Sequence, residues 1–225
     1  MAKLSKRMKA IREKVDSKKT YHLEEAVKTL KETSQLKFDA SVEVHVALGI
    51  DPKKGDQIVR SVVSLPHGNG KSKRVAAFTT HTKEAESAGA DLFGEEELIA
   101  EIKKTGKCDF DIAVATPEVM PKLAQIAKIL GQKGLMPNPK SGTISTDVKK
   151  MIEEIKKGKE FFKNDDSANV HLAIGKISFD ENKLIENINA FMDAVKKAKP
   201  SGFKGSYIKS IAISSTMGPG LKVTL

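Results

Sequence analysis

The chain has 225 residues, of which 39% are hydrophobic and 5% aromatic, with no Trp. This is enough apolar material for two modest domains or one large one, with cores of Ile, Leu, Val and Ala. The formal net charge of +10 favours a polyanionic partner, nucleic acid first and an acidic membrane second, over the plain alternative of a lysine-rich protein without a special partner. The single cysteine, Cys108, excludes an internal disulfide and indicates a reducing compartment.

The positive charge is concentrated at the start of the chain. Residues 1–20 hold eight Lys or Arg and two acids, a net of +6, which leaves +4 for all other residues. Any RNA site on the folded body must therefore be a local patch. No apolar stretch follows the basic segment as in a signal peptide, and no run approaches the roughly 18 apolar residues of a membrane span. We expect a cytoplasmic protein with no membrane partner.

The first third of the chain predicts a helix followed by a strand. Residues 22–34 place apolar side chains on one helical face. Residues 38–48 then alternate, with Val42, Val44 and Val46 on one side and polar side chains on the other. This alternation is typical of a strand with one face buried and one face exposed.

The middle of the chain has a different pattern. Short apolar strands are predicted at 74–79 and 110–115, and they alternate with helices. Strands alternating with helices indicate a parallel sheet covered on both faces, a Rossmann-like layer. The helices are predicted at 82–89, near 95–105, over about 13 residues after Pro117, and at 146–157, where Gly158 ends the last one.

The antiparallel character returns after residue 160. Strand 170–174 directs His171 away from its apolar side, and strand 207–215 places Ser210 and Ser214 on its polar side. An amphipathic helix is predicted at 183–198 and a last strand at 221–225.

These elements predict a fold of the α/β and α+β classes with two domains. Residues 1–67 plus 160–225 would form a discontinuous α+β sandwich, with helices on one side of its sheet. Residues 68–159 would be an inserted Rossmann-like α/β domain. Glycines near both crossings, Gly68, Gly70 and Gly158, would serve as a hinge. A single contiguous α/β domain is the alternative.

The glycine-rich segment 67–72 does not have the spacing of an enzymatic nucleotide site. A phosphate loop needs a glycine where Leu65 stands, and a dinucleotide loop needs one where Lys73 stands. The histidines do not have the spacing of a zinc site. We therefore predict no enzyme, no cofactor and no metal. A nucleotide-dependent enzyme that uses the Rossmann-like middle is the rival hypothesis.

The polar side of the outer sheet is a candidate RNA surface. Hydroxyl groups and imidazoles hydrogen-bond ribose and phosphate well, and nearby lysines add charge. An ordinary solvated face is the alternative. The side chains concerned are Ser41, Glu43, His45, His171, Ser210 and Ser214, flanked by Lys37, Lys163 and Lys209.

Two loops are longer than simple connections require. In 216–220, Gly218 would let backbone approach a ribose, Pro219 would stiffen the loop, and Thr216 and Met217 would contact RNA without supporting the core. The second loop, 134–143, has two prolines and two glycines. Either loop could instead be a rigid connection.

Four segments resemble one protein family. Residues 131–143 (GQKGLMPNPKSGT) closely resemble the most characteristic motif of the L-one family of large-subunit ribosomal proteins. Three further family motifs occur in the same order, so the resemblance extends over nearly the whole chain. They are Lys37-Phe38-x-x-Ser41-Val42-Glu43, the Leu-Pro-His-Gly-x-Gly segment at 65–70, and Ser-Thr-Met-Gly-Pro at 215–219.

The resemblance implies a two-domain fold that binds large-subunit (23S) rRNA at a mobile stalk. It also implies contact with exit-site tRNA, help in releasing deacylated tRNA, and repression of the protein's own operon mRNA. We expect a monomer away from the ribosome. The family commonly has Pro-Arg where Gln132-Lys133 stand and Tyr-Arg where Phe162-Lys163 stand. With His171 from the polar face, the implied RNA contacts are Lys37, Phe38, Ser41, Glu43, Ser210, Thr216, Met217, Gly218 and Pro219.

Overall fold

The computed structural model describes residues 6–16, 19–34, 36–139 and 142–224. The chain divides into two compact units, Met1–Gly70 with Phe161–Leu225 and Lys71–Glu160. The first unit is discontinuous and of the α+β type, and the inserted unit is α/β, as the predicted fold class required. The crossings fall after Gly70 and Glu160, three residues and one residue later than the sequence suggested.

Both units contain helices and strands. Among the described residues the strands are β1 (Thr20–His22), β2 (Ser41–Leu48), β3 (Arg60–Ser64), β4 (Val75–Phe78), β5 (Leu92–Gly94), β6 (Ile112–Ala115), β7 (Lys159–Lys163), β8 (Asn169–Lys176), β9 (Ile208–Ser215) and β10 (Gly220–Thr224). The helices are α1 (Lys6–Lys14), α2 (Leu23–Thr33), α3 (Thr82–Ser87), α4 (Glu96–Thr105), α5 (Met120–Leu123), α6 (Ala127–Gln132), α7 (Val148–Lys156) and α8 (Glu181–Lys197).

The main sheet of the first unit has the strand order β1-β10-β9-β2-β8. Strand β1 is parallel to β10, and the other neighbours are antiparallel. The buried side chains of the sheet form one hydrophobic core with α2 and α8, to which α1 adds Ile11. Burial along β2 alternates strictly, with its even-numbered residues buried. Helices thus cover one face of this sheet, as predicted.

Strands β3 and β7 form a two-stranded sheet, and β7 belongs to the first unit from Phe161 onward. Phe162 on β7 is 2% exposed and packs edge-on against Phe191 of α8, with 5.3 Å between ring centroids. The departure from the family pattern at this position therefore lies in the core. Lys163 is exposed on β7, which belongs to this smaller sheet. It is therefore not on a strand of the polar face that it was expected to flank.

The inserted unit is a parallel sheet between two helical layers. Strand β4 lies between β5 and β6 and is parallel to both. All of β4 is buried, because α3 and α7 cover one side of it and α4, α5 and α6 cover the other. The single helix predicted after Pro117 is instead two short helices separated by a 3-10 turn at Ala124–Ile126.

The family-like segment 131–143 connects elements of the inserted unit. Leu135 packs on the core beside α4, and the Thr143 carbonyl accepts a hydrogen bond from Ala115 of β6. Lys133 donates to the Gly106 carbonyl at the end of α4. Lys133, which stands where the family commonly has Arg, therefore has a partner within the inserted unit. Lys140 and Ser141 of the motif lie outside the described residues.

The three hinge glycines have different roles. Gly158 has φ of 109° and ends α7 inside the inserted unit. Gly68 has φ of 64°, and its carbonyl accepts a hydrogen bond of 2.9 Å from the buried Asn187 amide of α8. Gly70, with φ of 73°, is the one at a crossing. Because Gly70 lies at a crossing between the two units, we still predict a hinge there.

Asn187 provides the first testable prediction. Its amide also donates to Ile174 and accepts from the His67 backbone N–H, at 2.7 and 3.2 Å. Asn187→Ala leaves these buried groups without partners, so we expect the free energy of unfolding to fall by about 3 kcal/mol. Urea unfolding followed by circular dichroism measures the loss. Asn189→Ala, at an exposed position of the same helix, should change stability by less than about 0.5 kcal/mol; equal effects of the two variants would contradict the assigned role.

Candidate nucleic-acid interface

The uncovered face of the main sheet, here called the open face, carries the predicted polar side chains in register. Glu43 of β2 lies opposite Ser214 of β9, and His45 lies opposite His171 of β8. Ala212 of β9 lies opposite His45 on one side and opposite the exposed Lys222 of β10 on the other. The open face is therefore a mixed surface with both charge signs.

The segment before β2 displays two of the predicted RNA-binding side chains. The Asp39 carboxylate accepts hydrogen bonds from the backbone N–H and hydroxyl of Ser178, at 3.2 and 2.8 Å. With Asp39 fixed in this way, Lys37 is exposed and the Phe38 ring is 54% exposed. An anchored segment thus presents an aromatic ring to solvent, which leaves the ring free to stack on a partner.

The loop Thr216–Pro219, here called the hairpin loop, joins β9 to β10 and is bonded to the start of β2. The Thr216 hydroxyl accepts from the Ser41 backbone N–H at 3.1 Å and donates to the Ser41 carbonyl at 3.3 Å. The Thr216 backbone N–H donates to the same carbonyl. Thr216 thus makes a structural contact that the sequence did not indicate, because its hydroxyl extends the pairing of β2 and β9.

Met217 is at the tip of the hairpin loop. Its φ is 63°, a left-handed conformation that costs a residue with a side chain about 1 kcal/mol. Its side chain is 67% exposed, and its carbonyl accepts a hydrogen bond of 2.8 Å from the Arg7 guanidinium of α1. Arg7 therefore brings a positive charge to the loop, and sequence reasoning had counted it only as part of the basic N-terminal segment.

The glycine of the hairpin loop has an explanation within the protein. A Cβ on Gly218 would lie 2.2 Å from the Ser215 hydroxyl oxygen, so no other residue fits without a shift. Close approach to a ribose is not needed to explain it. Pro219 follows, half-buried, and leads into β10. Thr216 and Gly218 thus shape the loop, while Met217 is the member left facing outward.

A chain of polar groups crosses the open face through the two histidines. The Nδ1 atoms of His45 and His171 are 2.8 Å apart, and the other ring nitrogen of His45 is 3.0 Å from the Ser214 hydroxyl. The other ring nitrogen of His171 is 3.4 Å from the Asp165 carboxylate. Burial lowers the pKa of His45, the neighbouring His171 lowers it further, and Glu43 partly opposes this. Sequence reasoning placed His45 on this face but could not identify its partner.

Most of the predicted RNA-binding residues are brought together at one end of the sheet. Lys37, Phe38 and Ser41 meet the hairpin loop there through the bonds between Ser41 and Thr216. Ser210 is exposed on the same face, but it pairs with Ala47, about 13 Å along the strands from the Glu43–Ser214 pair. The Ser41 hydroxyl accepts a hydrogen bond from Lys176, so it already has a partner within the protein.

The alternative chemistries find little support in the described part of the chain. The turn between β4 and α3 contains no glycine, so it lacks the phosphate-binding turn of a nucleotide enzyme. Across those residues, no three His, Cys, Asp or Glu side chains are grouped so that they could hold a metal ion. Nor does any described helix have the length and hydropathy needed to cross a membrane.

Thr216 provides the second testable prediction. Thr216→Val keeps the shape of the side chain but removes both hydroxyl bonds to Ser41. We expect the free energy of unfolding of Thr216→Val to fall by about 1–2 kcal/mol. That of Thr216→Ser, which keeps the hydroxyl, should fall by less. Urea midpoints of the two variants and the wild type measure this. A wild-type midpoint for Thr216→Val would show that the hydroxyl does not stabilise the loop.

Comparisons with known proteins agree on one family. The model of the ribosomal protein L1p/L10e family matches residues 30–219. The large ribosomal subunit protein uL1 of Mycoplasma capricolum is 54% identical over 224 residues, which is 99% of each chain. The uL1 proteins of Mesoplasma florum and Rhodococcus erythropolis are each 52% identical, over 100% and 99% of this chain and 100% and 94% of their own length. The chain therefore belongs to the ribosomal protein L1p/L10e family, a family of structural ribosomal proteins and not of enzymes.

Proposed function

We propose that this chain is a structural component of the large ribosomal subunit that binds 23S rRNA through the open face and the hairpin loop. The observation that carries the proposal is the pair of exposed apolar side chains, Phe38 and Met217, on segments bonded to each other. Their exposed fractions are 54% and 67%. Two exposed apolar side chains on bonded segments offer a partner apolar contacts at one end of the sheet.

The chemistry of this end of the sheet suits single-stranded or looped RNA. An exposed aromatic ring stacks on an unpaired base, which contributes about 1–3 kcal/mol per base. Arg7 and Lys37 supply positive charge for phosphates, while Glu43 is an acceptor for ribose hydroxyls and base amines. RNA recognition by proteins mostly uses unstacked bases of this kind. The proposed ligand is therefore an irregular rRNA segment rather than a regular duplex.

Two variants test this assignment with little risk to the fold. Met217→Gly removes the exposed side chain and relieves the left-handed strain, so stability should hold or rise. Phe38→Ala removes the exposed ring. We expect each to weaken binding of a stalk 23S rRNA fragment about tenfold, at 1.4 kcal/mol per decade, in filter-binding assays.

Phe93→Ala is the matched control, because Phe93 is also exposed, at 39%, but lies on β5 of the inserted unit. It should leave the affinity unchanged. If neither Met217→Gly nor Phe38→Ala weakens binding, the hairpin loop is not part of the interface.

The resemblance adds two finer proposals. We propose that the protein contacts exit-site tRNA and aids release of deacylated tRNA, and that it represses translation of its own operon mRNA. The second needs no additional site, because an mRNA segment shaped like the rRNA target could occupy the same open face. The mixed charge of that face makes recognition depend on RNA shape and stacked bases as well as charge.

A shared site makes a definite prediction about competition. The operon leader mRNA should displace the rRNA fragment, and Met217→Gly should weaken both RNAs by a similar factor. Competition filter-binding with the two labelled RNAs measures this. Simultaneous binding of both RNAs, or weaker binding of only one of them by Met217→Gly, would require a second site for the mRNA.

A further inference from the structure

A second concentration of positive charge lies at the carboxyl end of the chain. Residues 194–225 contain six lysines and no Asp or Glu. Of the total charge of +10, residues 1–20 and 194–225 carry +6 each, so the residues between them have a net charge of −2. Five of the six lysines lie within residues 196–209, here called the lysine loop, which runs from the last turn of α8 into β9. Two short segments therefore account for the basic character of the whole chain.

The lysine loop is fixed against the end of the main sheet. Phe203 packs on the hydrophobic core, and its ring centroid lies 6.1 Å from that of the buried Tyr207. The backbone N–H of Gly49, just after β2, donates to the Tyr207 carbonyl at 2.8 Å. A Cβ on Gly49 would lie 2.2 Å from the Ser206 carbonyl oxygen, so the two segments are in close contact. The loop therefore presents its lysines from a defined position.

Most of the charge on the lysine loop is not neutralised within the protein. Lys196 lies 3.8 Å from Asp193 of α8. The other four lysines are exposed and form no salt bridge with another described residue: Lys197, Lys199, Lys204 and Lys209. Lys196 and Lys197 lie in the last turn of α8, where the helix dipole explains a cation. The other three lie beyond the helix, and the adjoining residues 49–57, with two Lys and two Asp, add no net charge.

The lysine loop continues into the half of the open face that has no acids. Lys209 lies at a bulge, where the pairing of β2 with β9 shifts register, and both Lys209 and Ser210 are exposed. Further along this half, Lys222 of β10 is exposed. Strands β9 and β10 contain no Asp or Glu, whereas Glu43 is on β2 and Asp165 lies beside β8. The β9–β10 half of the open face therefore joins the lysine loop to the hairpin loop without an intervening carboxylate.

We propose that the lysine loop is a second RNA contact, and that Lys199, Lys204 and Lys209 bind the phosphate backbone of the same rRNA segment that lies against the hairpin loop. The inference rests on the proposed RNA-binding function. The two loops are at opposite ends of β9, roughly 23 Å apart along the strand. Lysines bind phosphates as point charges and do not read sequence. The lysine loop thus supplies salt-dependent affinity, while the hairpin loop supplies discrimination between RNAs.

This division of roles has a measurable consequence in salt. Removing one lysine that contacts a phosphate lowers the slope of log affinity against log salt concentration by about 0.7–0.9. Changing Lys199, Lys204 and Lys209 together to Gln should therefore lower the slope by about 2. Binding of the 23S rRNA fragment at about 0.1 M salt should weaken by at least about tenfold, and the difference should shrink as salt rises. Phe38→Ala, which removes stacking only, should keep the wild-type slope.

The test measures rRNA affinity at several salt concentrations for the wild type, this triple variant and a matched control. The control changes Lys83, Lys104 and Lys128 to Gln, which removes the same charge from exposed positions on helices of the inserted unit. Its slope should stay close to that of the wild type. Unchanged urea midpoints in both variants show that the fold is intact. A wild-type slope in the lysine-loop variant, or the same decrease in both variants, overturns the proposal.

A second measurement uses the unmodified sequence and separates this inference from the proposed function. Acetylation of surface lysines, read by mass spectrometry, should be slowed by the bound rRNA fragment at the three lysine-loop positions and not at the three control positions. If Phe38→Ala weakens binding but the lysine loop is neither protected nor needed for the salt slope, only this inference fails. If the wild type does not bind the rRNA fragment at all, the proposed function fails and this inference with it.

Discussion

Strand β2 has two chemically different faces, and the first unit is built around that difference. Val42, Val44 and Val46 are fully buried under α2 and α8, and each contributes about 2 kcal/mol through burial. A shift of one residue would move all of them into water and turn the polar side chains inward. The register that the core enforces therefore also fixes which residues reach the open face. The geometry of the candidate site follows from packing on the opposite side of the same strand.

The bonds between Thr216 and Ser41 extend this constraint to the hairpin loop. They continue the β2–β9 pairing beyond the last residue of β9, so the loop takes its position from the core register. The unfavourable left-handed conformation of Met217 is maintained because its neighbours are fixed on both sides and Arg7 bonds its carbonyl. Strain at one exposed residue, supported by structure around it, is typical of a site organised before its partner arrives.

Sequence patterns identified the elements that have a clear period and missed contacts between distant segments. The alternation in β2, β8 and β9 gave their faces correctly, because a period of two follows directly from strand geometry. Strands β1, β3, β5 and β7 have three to five residues and show neither a clear alternation nor a continuous apolar run like those of β4 and β6. The role of Thr216 depends on a residue 175 positions away, and the His45 partner is 126 positions away. No local pattern could indicate either pairing.

Charge and shape make separable contributions to the affinity of this interface. Of the net charge of +10, residues 1–20 carry +6, whereas the open face pairs Glu43 and Asp165 with few cations. Attraction to phosphates, which weakens with salt, should therefore come mainly from the basic residues 1–20, which include Arg7, and from the lysine loop. In the proposed complex, the open face and hairpin loop would add stacking and hydrogen bonds that depend on the shape of the RNA. Because Glu43 and Asp165 repel phosphate, the proposed interface would disfavour RNA that is held by charge alone, and this repulsion would favour binding at a specific RNA site.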